Sequence, residues 1–334
     1  MHNYFTGKTV LLTGGAGFIG SNLTKKLLDL GANVVCVDNL ISGRKVNVRD
    51  YVGESGLAKV GNYTFIQADV SQPAEDYLPQ GMNVDLVLHF ASPASPPRYQ
   101  EKPVETYLVN SIATHHLLDF IKKTNPSARF VFAGTSEAYG DPSIHPQTED
   151  YWGNVNPNGK RSCYDESKRL GETICGVFYR DFGIDTRIVR IFNTYGPNMD
   201  PTDGRVIPNF ITQALKKQPL TIYGDGSFTR SYCYIDDLVE FILRMASKEG
   251  LNGETINIGN PEEYTVMQTA EIIHRVINPN EEIKLEYKEI PSDDPTRRQP
   301  DISKAKKLLG YEPKVGFEEG LKSTIEYFRK EVSG

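Results

Sequence analysis

Gly14-Gly15-Ala16-Gly17-Phe18-Ile19-Gly20 constrains this chain more than any other segment. It follows Thr9 to Thr13, a short apolar run that suits a buried parallel strand, and precedes a helical pattern from Ser21 to Leu30 that Gly31 ends. Glycine lets the backbone turn tightly and approach a phosphate without a Cβ in the way. The helix start adds free N–H groups and the positive end of its dipole. A glycine pattern alone is a weak signal, but between a strand and a helix it is a dinucleotide-binding fingerprint. Asp38 closes the next apolar run, Asn33 to Asp38, eighteen residues after Gly20. An acid there suits ribose hydroxyls and repels a 2′-phosphate, so the expected cofactor is NAD rather than NADP. Arg44 lies close enough in sequence to bear on that choice. Asp69, at the end of the run Tyr63 to Ala68, is placed to accept from the adenine amino group, with a turn or helix cap as its plain alternative. The candidate cofactor contacts are Gly14, Gly17, Phe18, Ile19, Gly20, Asp38, Asn39, Asp69, Val70 and Ala91.

Further apolar runs at Leu86 to Phe90, Arg129 to Ala133 and Asp185 to Ile191 alternate with helical patterns such as Val104 to Lys123 and Tyr164 to Phe182. That alternation predicts an α/β fold with a doubly wound parallel sheet. The Pro-rich stretch Ser92 to Pro103 reads as a functional loop. After about Gly196, Pro, Gly and aromatic residues thicken, with helical patterns at Gln268 to Ile277 and Lys304 to Leu309. This last third is expected to be a smaller α/β lobe.

Tyr164-Asp165-Glu166-Ser167-Lys168 carries a Tyr-x-x-x-Lys pair, which a helix presents on one face. An ammonium near a phenol lowers the phenol's pKa, so Tyr164 can remove a hydroxyl proton while hydride leaves the same carbon. Such a pair is frequent by chance, and an exposed helical face is the default reading. Here it follows Thr135-Ser136-Glu137 by one structural unit.

Gly14-x-x-Gly17-x-x-Gly20 together with Tyr164-x-x-x-Lys168 resembles the extended short-chain dehydrogenase/reductase superfamily, over roughly Lys8 to Lys330. Its NAD-dependent members are mostly nucleotide-sugar epimerases, dehydratases and decarboxylases. Ala91-Ser92-Pro93-Ala94-Ser95-Pro96, Thr135-Ser136-Glu137-Ala138-Tyr139-Gly140, Arg161-Ser162-Cys163-Tyr164, Arg190 to Pro197, Asp203-Gly204-Arg205-Val206 and Gly226 to Ser231 look most like the UDP-glucuronate decarboxylase (UDP-xylose synthase) group. Gly134 and Ala138 depart from that group's usual serine and valine. The resemblance implies a Rossmann-type sheet with NAD and the Tyr/Lys helix in residues 1–190. It implies a mainly nucleotide-sugar-binding lobe in 191–334, part of which crosses back. It also implies catalytic roles for Thr135, Glu137, Tyr164, Lys168 and Arg230. Tyr164 and Lys168 would also touch NAD. The UDP-sugar would meet Pro93, Tyr99, Ser136, Asn193, Arg205, Val206, Tyr223, Arg230 and Arg298. The expected reaction is decarboxylation of UDP-glucuronate to UDP-xylose. A 4-epimerase or 4,6-dehydratase is the alternative, and a non-catalytic NAD(H) sensor is the reading from another class.

The formal net charge of −6 and the lack of a long basic run argue against nucleic acid as a partner. No apolar run is long enough to span a bilayer, and Met1 to Lys8 is polar. The four cysteines form no CxxC pair and read as reduced thiols, with Cys36 and Cys175 as buried small hydrophobes. No metal-ligand spacing is present. These features fit an expected cytoplasmic enzyme. The superfamily resemblance further implies a homodimer through a four-helix bundle, built from Val104 to Lys123 and the helix bearing Tyr164.

Overall fold

Seven parallel strands form the central sheet. Across it they lie in the order Thr255–Ile258, Asp185–Ile191, Arg129–Thr135, Leu86–His89, Thr9–Thr13, Asn33–Val37 and Tyr63–Ile66. The structure is a computed structural model that describes residues 2–51, 61–291 and 293–333. Successive strand residues point to opposite faces, so an all-apolar strand feeds two cores. Val10, Leu12, Leu86, Leu88 and Val131 enter one core, where Leu23 and Leu27 of the helix Phe18–Asp29 cover them. Leu11, Val87, Phe130 and Phe132 enter the other, under Ala113, Leu117 and Ile121 of the helix Pro103–Thr124. This is the expected Rossmann-type, doubly wound sheet. Three buried cysteines, Cys36, Cys175 and Cys233, sit in these cores, and all four thiols are free.

Chain order reverses between Thr9–Thr13 and Leu86–His89, which pair in register Val10↔Leu86 to Thr13↔His89. A crevice opens outside the carboxyl ends of strands at such a switch point, and ligands bind there. Gly14 to Gly20 and the segment after Phe90 both leave the sheet at this place.

Residues beyond Ile191 are not wholly separate from the sheet. Thr255–Ile258 is its edge strand, and the helix Ile235–Ser247 packs on the helix Phe18–Asp29. The remainder builds three small sheets, one of them the parallel pair Thr194–Tyr195 and Cys233–Tyr234. Leu220–Tyr223 pairs with Leu285–Lys288, while Thr229–Ser231 lies between Glu263–Thr265 and Arg297–Arg298. The helices Val206–Leu215, Val266–Ile277 and Phe317–Ser333 pack around them.

Two local readings change. The helix after the glycine turn starts at Phe18 rather than Ser21, because extended Gly17 serves as its N-cap. The stretch Ser92 to Pro103 is not all loop. Pro96 and Pro97 start a helix, Pro96–Glu101, where a missing N–H and a fixed φ suit the first turn.

Candidate active site

The glycine turn and the switch point form one wall of a cleft. Gly14, Gly17, Phe18, Ile19, Gly20, Asp38, Asn39, Asp69, Val70 and Ala91 all line it. Gly14 has φ +75° and faces Ala91, so close that a Cβ on Gly14 would lie 2.7 Å from Ala91 Cα. A Cβ on Gly20 would lie 2.1 Å from the Gly14 carbonyl oxygen. The turn therefore closes only with glycine at both places, and it leaves the start of Phe18–Asp29 open to a phosphate. Asp38 is buried. Its Oδ2 accepts from Ala16 N at 2.9 Å and its Oδ1 from Leu40 N at 2.8 Å. Burial raises its pKa, and the two N–H donors oppose that rise. Asp69 accepts from Ser71 N at 2.9 Å and so caps a turn while also facing the cleft. A glycine cradle, a helix start and a fixed acid suit the pyrophosphate and ribose of NAD.

Ile19, Phe90, Ser92, Ala94 and Arg205 are shared with a second cavity of about 540 Å³, a volume within the ligand-pocket range. Thr135, Ser136, Glu137, Tyr164, Lys168, Asn193, Arg205, Val206, Tyr223, Arg230 and Tyr99 line it, and Pro93 lines the neighbouring cleft. The helix Ser162–Phe182 positions Tyr164 and Lys168 one turn apart, with the Lys168 Nζ 5.8 Å from the phenol ring centre. Lys168 donates to the Ala133 carbonyl at 2.8 Å. Burial lowers its pKa to about 7. Burial raises the phenol of Tyr164 to about 12, against the pull of the neighbouring Thr135 hydroxyl. Tyr99 stacks on Tyr164, with ring centres 5.1 Å apart and planes 10° apart. The phenol is thus fixed on one face by Tyr99 and ringed by Thr135 and Lys168. A positive charge on a bound ligand would oppose that rise.

Beside this pair stands a network of three arginines and three carboxylates. The strands Thr229–Ser231 and Arg297–Arg298 set Arg230 in register with Arg298. Arg298 donates to Glu137 Oε2 at 2.8 Å and to the Gly140 carbonyl at 2.6 Å. Arg161 binds the same Glu137 oxygen, lies 3.4 Å from Asp294 and 3.7 Å from Asp165. Arg230 donates to Asp294 at 3.0 Å. Burial would raise the pKa of Glu137, but Arg298, Arg161 and Arg230 outweigh it and hold the carboxyl well below its usual range. Asp165 moves the other way, because burial and the Glu137 charge outweigh Arg161.

Arg298 lies deeper than the sequence reading places it. Anticipated at the nucleotide, it does not line the cavity and is only 1% exposed. A buried ionised Glu137 needs a buried cation, and Arg298 supplies it. Arg161 was missed. Its signal was the spacing to Asp165, four residues on along one helical face.

The direction of the Asp165 shift sets a pH dependence. An unfolded aspartate ionises near pH 3.9, whereas the folded Asp165 keeps its proton to higher pH. Folding therefore loses stability as pH rises above about 4. Asp165→Asn should gain in melting temperature over the parent, and the gain should grow as pH rises from 4 toward neutrality. A gain that does not change with pH contradicts the assignment.

Residues 10–259 match the NAD dependent epimerase/dehydratase family. The chain belongs to this family. The family's dependence on NAD accounts for the glycine cleft. The chain is 46% identical to UDP-glucuronic acid decarboxylase 1 of Xenopus tropicalis over 325 residues, 97% of this chain and 73% of that protein. It is 47% identical to UDP-glucuronic acid decarboxylase 3 of Arabidopsis thaliana over 321 residues, 96% of this chain and 89% of that protein. Among solved structures, UDP-glucuronic acid 4-epimerase from Bacillus cereus, in complex with UDP-glucuronic acid and NAD, superposes with a TM-score of 0.83. The identity there is 27%, covering 97% of this chain and 99% of that one.

Within this member of the epimerase/dehydratase family, the departure at Gly134 has a structural reason. A Cβ there would lie 3.0 Å from Glu172 Oε1 and 3.1 Å from Ile188. Glu172 is held in a two-pronged pair with Arg190, at 2.8 and 3.0 Å, so it has little room to yield. Ala138 is buried as well. At the far end of the cavity Tyr223 is 43% exposed, and Arg205 caps the helix Val206–Leu215 while paired with Asp203. That helix start, with Arg205, offers a second anion site beside the first.

Proposed function

We propose that this protein converts UDP-glucuronate to UDP-xylose and carbon dioxide, with NAD held through the cycle. The observation that carries the reading is one cavity holding a Tyr164–Lys168 pair, an ionised Glu137 and the guanidinium of Arg230. Any C4 oxidation needs the first pair, and a cation aimed at the sugar's carboxylate favours a uronate as the substrate. The decarboxylase relatives at 46–47% identity support the same substrate.

NAD, which Gly14, Gly17, Gly20 and Asp38 would hold, would supply reversible hydride acceptance at C4 of the sugar. Tyr164 accepts the C4 hydroxyl proton as that carbon is oxidised, and Lys168 favours the phenolate. Thr135 fixes the C4 oxygen. Arg230 orients the carboxylate and, once the C5–C6 bond breaks, stabilises the electron pair that moves into the 4-keto group. Asp294, now its partner, yields that position. Glu137 stays ionised between Arg161 and Arg298, so it serves as an acceptor that orients a water rather than as the acid itself. One solvent proton is added at C5 for each carbon dioxide lost. Tyr164 then returns its proton to the C4 oxygen. Tyr99, whose buried hydroxyl has no hydrogen-bond partner among the described residues, and Ser136 face the sugar. Asn193, Arg205, Val206 and Tyr223 hold the uridine diphosphate, with Pro93 at the junction with NAD. Release of carbon dioxide from UDP-glucuronate without added cofactor tests the reading, and quantitative retention of the carboxylate opposes it.

The helices Pro103–Thr124 and Ser162–Phe182 pack together and leave Val104, Tyr107, Ile112 and Leu170 exposed. Such an apolar face suits a four-helix bundle with a second copy. Leu170→Glu should convert a sedimenting dimer to monomer, whereas an unchanged sedimentation coefficient opposes the bundle. No helix among the described residues is long and apolar enough to cross a membrane, which fits a cytoplasmic enzyme.

A further inference from the structure

Three cations line the cofactor cleft: Arg44, Arg98 and Arg205. Each is already matched by an acid. Arg98 meets Asp200, Arg205 meets Asp203, and Arg44 meets Glu331 of the helix Phe317–Ser333. The Arg44 pairing spans the most sequence of the three, joining residues 287 apart. Arg44 Nη1 also donates to Tyr327 Oη, one turn earlier on that helix, at 3.2 Å.

The position of Arg44 matters because of what precedes it. Gly43 lies on the Asp38 carboxylate, such that a Cβ on Gly43 would sit 2.6 Å from Oδ1. Arg44 N donates to the Ala16 carbonyl at 3.0 Å, which ties its backbone to the glycine turn. Its Cα is therefore anchored beside the acid that faces the ribose. From there a long guanidinium stem can reach across the cleft rim, where it would match the oxygens of a 2′-phosphate. It is turned instead onto the C-terminal helix.

We infer that Glu331 is a specificity-determining residue for the cofactor: by engaging Arg44 from the C-terminal helix, it withholds a cleft cation, rooted beside the Gly43–Asp38 contact, that would neutralise a 2′-phosphate. Asp38 repels that phosphate directly, and Glu331 removes the means of compensation. The inference rests on the NAD cleft alone and not on the sugar chemistry, so it stands or falls separately from the proposed reaction.

The test is displacement of bound NAD by NADP and by NAD itself, read as the ratio of the two affinities. Glu331→Gln should lower the preference for NAD by about tenfold, the worth of one charge-assisted contact at a partly screened site. Glu331→Lys, which repels Arg44 toward the cleft, should lower it further. In Arg44→Met/Glu331→Gln the preference should return toward the parent value. An affinity ratio unchanged in both Glu331 variants overturns the inference. So does a lowered preference that persists after Arg44 is removed. A loss of affinity for both cofactors in equal proportion leaves the ratio unchanged and counts against it as well, since it shows only that the helix braces the cleft.

Discussion

Tyr164→Phe should lower kcat by about 100- to 10,000-fold while leaving NAD bound, the range for loss of a general acid–base group. The phenol is the only titratable group among Thr135, Tyr99, Lys168 and itself that can both take and return the C4 proton with little rearrangement. Tyr99 stacks on it, and burial raises both phenols, but of the two only Tyr164 is held beside the Thr135 hydroxyl. Thr135 has no accessible ionisation. Lys168, lowered to about 7, is tethered to the Ala133 carbonyl. Removing one oxygen leaves the ring packing and the glycine cradle intact, so cofactor content should not fall. Turnover within a few-fold of the parent would remove Tyr164 from the chemistry. Loss of NAD along with activity would show instead that the phenol mainly holds the cofactor.

Arg298→Met should destabilise the fold by about 3–5 kcal/mol, the cost of leaving a buried charge without its partner. Arg298 is almost fully enclosed and donates to both Glu137 and the Gly140 carbonyl. Arg161 stays on Glu137 and softens the loss, which makes the double variant the sharper measurement. Arg298→Met/Glu137→Gln should be less destabilised than the sum of the single variants, since residues in one ion-pair network couple. Additive denaturation midpoints would contradict a shared network. Activity should fall as well, because the pKa of Glu137 rises when its strongest cation is gone.

The sheet and the cofactor cleft were legible from sequence for a simple reason. Thr9–Thr13, Gly14 to Gly20 and Asp38 act through local rules: an apolar run, a turn that only glycine closes, and an acid at a strand end. Tyr164 and Lys168 share a helical face by spacing alone. The arginine network was less legible because its geometry comes from distant strands. Arg298 reads in sequence as one of several polar residues in a surface-like run, Thr296-Arg297-Arg298-Gln299, yet pairing with Thr229–Ser231 buries it against Glu137. Arg161 looked like the approach to a helix, and only folding brings it to Glu137 and Asp294. The helix Pro96–Glu101 was hidden by its prolines, which suit a helix start as well as a loop. The partnership of Arg44 with Glu331 spans nearly the whole chain and left no local trace.

The account turns on carbon dioxide leaving a sugar that was first oxidised at C4. NMR of UDP-glucuronate incubated with the protein in deuterated water tests this most directly. The account predicts UDP-xylose as product, with one deuterium at C5 from solvent and the original hydrogen at C4. A product that keeps its carboxylate, such as the C4 epimer, would contradict it.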